Sequence, residues 1–376
     1  MVLSNQDPNY RQCSISVMDN IADPDIKFDD KGICNYYYEY LKAEKEQVKK
    51  GVEGEKEFKA IIQKIKEDGK GKEYDCILGV SGGVDSTYLA YIAAQQGLRV
   101  LCVHFDNGWN SELAVQNIEN IVSKCGFQLY TYVIDWNEFK DIQRSYFKAN
   151  VIDIEAVTDI AIFSALDILC KQFKIKHIID GRNVVTEVTL PPAWICKNSA
   201  NLKDIQKKFG TLKLKSYPLM NIIRRRVVAR TKPFTSWPIL NYIPYEKSEA
   251  KKTIIEKLNW RDYGGKHYES VFTRFYQGYI LPEKFKVDKR KAHLSNLIFS
   301  GQITKEEALE ELKQPIYPQE LFTTDYEFAI KKLGFTHEEF QAYLKAPQVP
   351  HSNFEMSNSI FDEVPALKPF RKIFNK

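Results

Sequence analysis

Residues 81–87 read Ser-Gly-Gly-Val-Asp-Ser-Thr, a heptapeptide rich in groups suited to a phosphate. Ser81, Ser86 and Thr87 bring hydroxyl donors. Gly82 and Gly83 let the backbone approach an anion closely, with positive φ where the turn needs it. An apolar run at residues 74–80 comes before this turn and a helical pattern comes after it. The free N–H groups of the helix start and the positive end of its dipole therefore point at one place. Asp85 puts a carboxylate beside that anion, an arrangement that is repulsive unless a cation lies between them. Mg2+ bridging Asp85 and the phosphates is the chemistry this implies. The loop is not of the Gly-x4-Gly-Lys-Ser/Thr kind. Gly69-Lys70 runs into Gly71 and Gly265-Lys266 into His267, so phosphate is held without a lysine in the loop itself.

The elements that position this loop alternate. Strands are expected at 74–80, 98–105, 127–134 and 176–180, with helices at 85–96, 110–125 and 155–173. Gly97 and Gly126 stand where a left-handed helix cap is favoured. Such alternation implies right-handed crossovers and an α/β fold with a doubly wound parallel sheet. In that class the ligand lies outside the carboxyl ends of the strands. The second strand ends there at Asp106, and the fourth runs there into Gly181, Asn183, Thr186 and Glu187. Asp106, Gly181, Asn183 and Thr186 are candidate nucleotide contacts, and Glu187 is a candidate second metal ligand. His104 lies within a strand and reads as a packed residue. Beyond residue 190 the alternation fades into a mostly helical region with two capping boxes, Thr304-x-x-Glu307 and Thr336-x-x-Glu339. The expected organisation is an N-terminal module and charged helix over 1–70, an α/β domain carrying the phosphate loop over 71–190, a mostly helical substrate and partner region over 191–345, and a tail over 346–376.

Composition narrows the function classes. The chain has 376 residues, 44% hydrophobic and 27% charged, which excludes disordered, collagenous and disulfide-scaffold classes. Its net charge of +5 is modest for this length and falls short of a nucleic-acid face. The lysines of residues 42–72 are interleaved with glutamates and read as a solvated helix face. The seven cysteines are scattered, several inside apolar runs. No leader pattern and no membrane-length apolar run is evident. A reduced, soluble, cytoplasmic protein is expected.

Residues 81–86, at the end of the first buried strand, resemble the PP-loop of ATP pyrophosphatases, which cleave ATP to AMP and pyrophosphate. The likeness extends further. With residues 104–112 (HFDNGWNSE), 153–163 (DIEAVTDIAIF), 181–187 (GRNVVTE), 260–270 (WRDYGGKHYES) and 272–309, the chain resembles the N-acetyl sugar amidotransferases of bacterial surface-polysaccharide and flagellin-sugar biosynthesis, from about Cys13 to Leu344. The resemblance implies conversion of a sugar acetamido group to acetamidino. The amide oxygen is adenylated and ammonia then displaces AMP. It also implies that a separate glutaminase like that of histidine biosynthesis supplies ammonia, with its cyclase-like companion. Lys266, His267 and Glu269, with Asp85, are then candidate catalytic residues. Tyr268, Arg274, Lys289, Arg290 and His293 are candidate contacts for an acidic, possibly nucleotide-linked, N-acetyl sugar.

One departure stands out. The family pattern carries two Cys-x-x-Cys pairs that look like a four-thiolate zinc site. Here Cys13 and Cys34 keep one cysteine of each pair, and Ser16 and Tyr37 replace the others. Two thiolates do not close such a site, so zinc is not expected. The basic run Arg224, Arg225, Arg226 and Arg230 reads as a helix end or an anion contact rather than a nucleic-acid patch. Two competing functions make different demands. A tRNA-modifying PP-loop enzyme, thiolating or lysidine-forming, would call for a cysteine arrangement at the crevice and a broad basic face. A nucleotide-binding regulator would have no need of Asp85 and Glu187 beside the phosphates.

Overall fold

A computed structural model describes residues 8–357 except Asn221, Lys232 and Lys266, and within 222–231 it omits several side chains, those of Arg225 and Arg226 among them. The candidate catalytic Lys266 and the tail beyond residue 357 lie outside the described residues. Two helices, α1 (Asn35–Gln47) and α2 (Gly51–Gly69), lead into the sheet. Then come β1 (Cys76–Gly79), α3 (Val84–Gln95), β2 (Val100–Asp106), α4 (Glu112–Cys125) and β3 (Gln128–Val133). They are followed by α5 (Trp136–Ala149), α6 (Ala156–Gln172), β4 (His177–Asp180) and the single turn α7 (Val184–Glu187).

The sheet is five-stranded and wholly parallel, in the order β3-β2-β1-β4-β5. Its side chains alternate as the strand period requires. Cys76, Leu78, Val100 and Cys102 face one layer with Phe58, Ile61, Ile62 and Ile65 of α2 and Leu89 and Ala90 of α3. Ile77, Leu101, Val103 and Ile178 face the other layer with Leu169 and Cys170 of α6. The chain winds outward from β1 through β2 to β3, then returns to place β4 on the far side of β1. The crevice between the ends of β1 and β4 is therefore the topological switch point.

The fifth strand, β5 (Thr235–Pro238), corrects the expectation that strands end at residue 180. It lies parallel to β4, pairing His177 with Thr235 and Asp180 with Pro238. Four residues with a terminal proline give little period-2 signal, and proline is tolerated here because the strand is an edge. Between β4 and β5 lie α8 (Ser199–Phe209) and α9 (Ile222–Thr231). Beyond β5 come α10 (Lys247–Leu258), α11 (Val271–Phe275) with a π-helical continuation over Tyr276–Phe285, α12 (Arg290–Phe299), α13 (Lys305–Lys313), α14 (Gln319–Leu333) and α15 (His337–Lys345). Both expected capping boxes are present, at Thr304 and Thr336. The largest apolar cluster joins Cys13, Met18 and Tyr36 to α5, Trp194, α11 and α15.

Near the N-terminus, Cys13, Ser16 and Cys34 are fully buried together. The Cys34 N–H donates to Cys13 Sγ at 3.3 Å, and Ser16 Oγ lies 4.0 Å from Cys34 Sγ. Tyr37 is turned onto the Phe299 ring, 5.4 Å between centroids. The donor set is thus two thiols and a hydroxyl, which does not suit a four-thiolate zinc site.

The long connection between α8 and α9 is tied to α5 by two buried carboxylates. Glu138 accepts the backbone N–H groups of Lys215, Ser216 and Tyr217 at 2.8–3.0 Å, and Asp141 accepts those of Thr211 and Leu212 at 2.9 Å. Burial alone would raise both carboxyls, but these donors outweigh it and hold both below the usual carboxylate range. Stability from a depressed carboxyl is present above its unfolded pKa and is lost as pH falls through the folded one. Glu138→Gln is therefore expected to cost about 1–3 kcal/mol near neutrality. In urea titrations the gap between wild type and variant should narrow as pH is lowered through the carboxylate range.

Candidate active site

The loop after β1 is shaped by its own hydroxyls and by a distant segment. Gly83 is the residue that precedes α3, and its carbonyl accepts the hydroxyls of Ser86 at 3.2 Å and Thr87 at 2.6 Å. Thr87 is fully buried and serves the helix start rather than the crevice. Ser81 Oγ accepts the Gly83 N–H at 3.2 Å and lies 3.4 Å from Ser86 Oγ. Gly82 sits at φ +83°, and a Cβ there would fall 2.6 Å from the Tyr263 hydroxyl. Its carbonyl accepts two donors from far along the chain, Trp260 Nε1 at 2.7 Å and Tyr263 Oη at 3.1 Å. In a trans peptide the carbonyl and the following N–H point in opposite directions. Holding the Gly82 oxygen toward Trp260 and Tyr263 therefore turns the Gly83 N–H the other way, where it donates to Ser81 Oγ.

Gly181 closes the other side. A Cβ on it would lie 3.1 Å from Asp85 Cβ and 3.2 Å from the Ser86 nitrogen, so a larger residue here would push the first turn of α3 back by a few tenths of an ångström. Asn183 accepts the Thr186 N–H at 2.8 Å and donates to the Gly181 carbonyl at 3.1 Å, shaping the turn into α7.

Two adjoining cavities open over this switch point. The smaller, about 400 Å³, is lined by Ser81, Gly83, Asp85, Ser86, Gly181, Glu187, His267 and Glu269, among others. The larger, about 1140 Å³, is lined by Asn183, Thr186, Tyr268, Lys289, Arg290 and His293, among others. Glu187, Gly264, Gly265, His267, His293 and Glu311 belong to both and form the shared wall. Asp85 and Glu187 bring two hard carboxylates to the smaller cavity, beside hydroxyls and backbone N–H groups. That donor set fits Mg2+, which takes one or two carboxylates and completes its shell with phosphate oxygens and water. The Tyr245 hydroxyl donates to Asp85 Oδ1, and burial, then the Asp85 charge, push that phenol well above its ordinary range. His267 Nδ1 lies 3.6 Å from Glu269 Oε1. Lys247 Nζ lies 3.3 Å from His293 Nε2.

The remaining candidates divide. In the larger cavity Lys289 lies 3.6 Å from Glu155, and Arg290 is braced by Asp288 at 2.9 Å and by the Gln314 carbonyl at 2.9 Å. Tyr268 donates to the Ile316 carbonyl at 3.3 Å. Arg274 is a correction. It lines neither cavity and forms a two-pronged pair with Asp325 at 2.5 and 2.8 Å, to which Tyr317 also donates. Asp106 also lines neither cavity. Its Oδ1 accepts the Gly108 N–H at 2.8 Å and Asn110 Nδ2 at 3.3 Å, which shapes the loop after β2. His104 is packed as expected, between the Val80 carbonyl and Asn110. Arg224 pairs with Asp167 at 2.6 Å. Sequence reasoning assigned no role to Tyr245, Lys247, Lys251, Trp260, Tyr263, Arg182 or Lys197, all of which touch the loop or line a cavity. Trp260 and Tyr263 lay inside a segment already singled out. Tyr245 has no sequence signal beyond an Ile-Pro-Tyr turn.

Two substitutions separate these roles. Gly82→Ala is expected to displace Tyr263 and strain the turn, weakening ATP binding about tenfold or more in a direct titration, with the far-UV spectrum intact. Asp325→Ala strands the Arg274 guanidinium in a buried setting. It is expected to cost about 3 kcal/mol in urea unfolding while leaving nucleotide affinity as it was.

Comparison with known proteins bears on the same two regions. Residues 75–218 match the family model of queuosine biosynthesis protein QueC, and residues 269–368 match that of the LPS biosynthesis protein WbpG-like C-terminal domain. An uncharacterized protein of Methanocaldococcus jannaschii is 23% identical over 83% of this chain and 96% of its own length. The tRNA(Ile)-lysidine synthase of Chlamydia muridarum is 27% identical over 42% of this chain and 48% of its own. Among solved structures, the NMN synthetase of Francisella tularensis aligns over 80% of this chain and 99% of its own, with a TM-score of 0.34 and 14% identity. A loop that presents backbone N–H groups and hydroxyls at a switch point, within the QueC-matching segment and followed by the WbpG-like segment, places the chain. It is an ATP-dependent PP-loop enzyme that joins a QueC-like ATP pyrophosphatase domain to a WbpG-like LPS-biosynthesis C-terminal domain.

Proposed function

We propose that this enzyme converts the acetamido group of an acidic N-acetyl sugar into an acetamidino group, spending ATP to AMP and pyrophosphate. The observation that carries the reading is the pair of cavities with a shared wall. A phosphate-sized crevice opens into a larger chamber that is lined by Arg182, Lys197, Lys289 and Arg290 and is roomy enough for a charged sugar.

ATP lies with its polyphosphate over the Ser81–Ser86 loop and its α-phosphorus toward the shared wall. Asp85 and Glu187 would hold Mg2+, which when bound screens the polyphosphate from these carboxylates. The sugar's carboxylate is held by the cations of the larger cavity, with Tyr268 and His293 against the ring. Its amide oxygen attacks the α-phosphorus, and pyrophosphate leaves with the bridging electron pair. Ammonia then adds to the activated carbon and AMP departs, carrying the former amide oxygen. His267, on the shared wall, and Glu269, in the smaller cavity beside it, are placed to take the proton that the attacking nitrogen gives up. Lys266 is assigned to the same catalytic group from sequence. A separate glutaminase of the histidine-biosynthesis kind, with its cyclase-like companion, supplies the ammonia.

A second reading, modification of tRNA, is favoured by the lysidine synthases among the relatives. Thiolation finds less support, because none of the seven cysteines lines either cavity. The test is incubation with ATP, Mg2+, an ammonium salt and a panel of N-acetylated acidic sugars, free and nucleotide-linked. AMP should form only with a competent sugar, whose mass should change by replacement of O with NH. An acetamido oxygen labelled with heavy isotope should appear in AMP. Asp85→Ala should abolish AMP formation with the fold intact. Formation of ADP, or turnover that depends on tRNA, overturns the reading.

A further inference from the structure

Two peptide planes of the phosphate loop are held from outside it. Trp260 and Tyr263 hold the plane after Gly82. The other plane is the one that enters the loop, between Val80 and Ser81. The Val80 N–H donates to the Val103 carbonyl at 2.9 Å, which extends the pairing of β1 with β2. Its carbonyl lies 3.2 Å from Nδ1 of His104, the next residue of β2 and a buried one. Drawing the Val80 oxygen toward this ring turns the Ser81 N–H the opposite way, by the same trans-peptide geometry.

The surroundings of the ring dictate where its proton sits. Asn110 Nδ2 lies 3.0 Å from His104 Nε2 and 3.3 Å from Asp106 Oδ1. A carboxylate only accepts, so Asp106 takes one of the two amide hydrogens and turns the nitrogen of Asn110 toward itself. The second hydrogen is aimed at His104 Nε2, which must therefore accept. On the other side of the ring the Val80 carbonyl can also only accept, so Nδ1 carries the proton. Both neighbours select the same neutral tautomer.

Asn110 in turn belongs to the segment on which Glu269 is seated. It forms an antiparallel bridge with Ser270. The Ser111 N–H donates to the Glu269 carbonyl at 2.9 Å, and the Val271 N–H donates to the Trp109 carbonyl at 2.8 Å. The Glu269 side chain reaches the phosphate loop, since a Cβ on Gly83 would fall 3.4 Å from its Oε1. One ring thus ties the entry of the loop to the segment that carries Glu269 against it. An apolar side chain would fill the same space in β2 and make neither bond.

We propose that His104 is a positioning residue of the active site. As the neutral Nδ1–H tautomer it sets the Val80–Ser81 peptide with one nitrogen and, through Asn110, the Glu269 segment with the other. The first arm concerns ATP at the loop. The second deepens the proton-accepting role proposed above for Glu269 and rests on that reading for its use, though not for its geometry.

The test uses the full chain with His104→Asn and His104→Gln. An Asn amide nitrogen falls near the place of imidazole Nδ1, and a Gln amide near that of Nε2, so the first substitution keeps the Val80 arm and the second keeps the Asn110 arm. Titration with ATP and Mg2+, without acceptor, reads the first arm. Amide hydrogen exchange at Ser111 and Val271 reads the second. His104→Gln is expected to bind ATP about five- to tenfold more weakly, with exchange as in wild type. His104→Asn is expected to retain ATP affinity while both amides exchange about tenfold faster. Nitrogen NMR of isotope-labelled histidine should show wild-type His104 neutral, with Nδ1 protonated and Nε2 bare. A proton on Nε2 overturns the proposal, as do two variants that lose ATP affinity and exchange protection alike. Where either variant does not fold, Asn110→Ala takes its place and leaves β2 untouched. Exchange at Ser111 and Val271 should then quicken, and unchanged exchange overturns the proposal. None of these readouts requires a sugar or ammonia. Wild type with this tautomer and these arm-specific losses that nevertheless makes ADP would sink the amidotransferase reading and leave the role of His104 standing.

Discussion

Everything at the crevice depends on how one carbonyl is held. A Ser-Gly-Gly turn has no side chain bulky enough to fix its own peptide planes, and glycine loses the most conformational freedom on ordering. Here the Gly82 oxygen is held by an indole and a phenol from residues 260 and 263. The order of the phosphate loop is therefore supplied by the half of the chain that follows the sheet. From the same stretch, Gly264, Gly265, His267 and Glu269 go on to wall the cavities. One segment of about ten residues thus shapes the loop and lines both cavities.

Charge is distributed with similar economy. Among the described residues, several arginines are held by acidic partners. Arg274 is joined to Asp325, Arg224 to Asp167, Arg182 to Asp180 and Arg290 to Asp288. Pairs of this kind orient guanidinium groups more than they add stability. Arg182 and Arg290 are so oriented at the rim of the larger cavity, where a fixed fork suits a carboxylate or phosphate. Arg274 is instead locked inside the helical region by a buried acid.

Sequence reasoning reached the parts of the site that local rules specify. The strands β1 to β4 were legible because each is a short apolar run bounded by glycine or polar residues. The loop was legible as a strand-to-helix turn because two glycines, an aspartate and three hydroxyls follow the first buried strand, although the Thr87 hydroxyl turns out to serve the helix start. The capping boxes were legible because Thr-x-x-Glu satisfies two backbone donors at once. What escaped depends on long-range placement. Arg274 stands in the same stretch of sequence as the cavity cations, yet the α11 turn points it at Asp325. Tyr245 meets Asp85 across 160 residues of chain and Trp260 meets Gly82 across 178, and no local pattern marks such meetings. β5 escaped because a four-residue edge strand is specified by its neighbour β4 rather than by its own period.

The N-terminal module belongs to the same logic. Lys291 of α12 pairs with the buried Asp19, and Lys305 of α13 donates to the Cys13 carbonyl at 2.7 Å. Tyr36 donates to Asp23 at 2.5 Å, closing the module on itself. The module therefore braces α12 from behind, and α12 carries Arg290 and His293 into the larger cavity. A module held by packing, hydroxyls and ion pairs can perform that bracing, since what α12 requires is a fixed surface at Asp19 and Cys13: Ser16 is buried against Cys34, and Tyr37 packs on the ring of Phe299 at the far end of the helix it helps to hold.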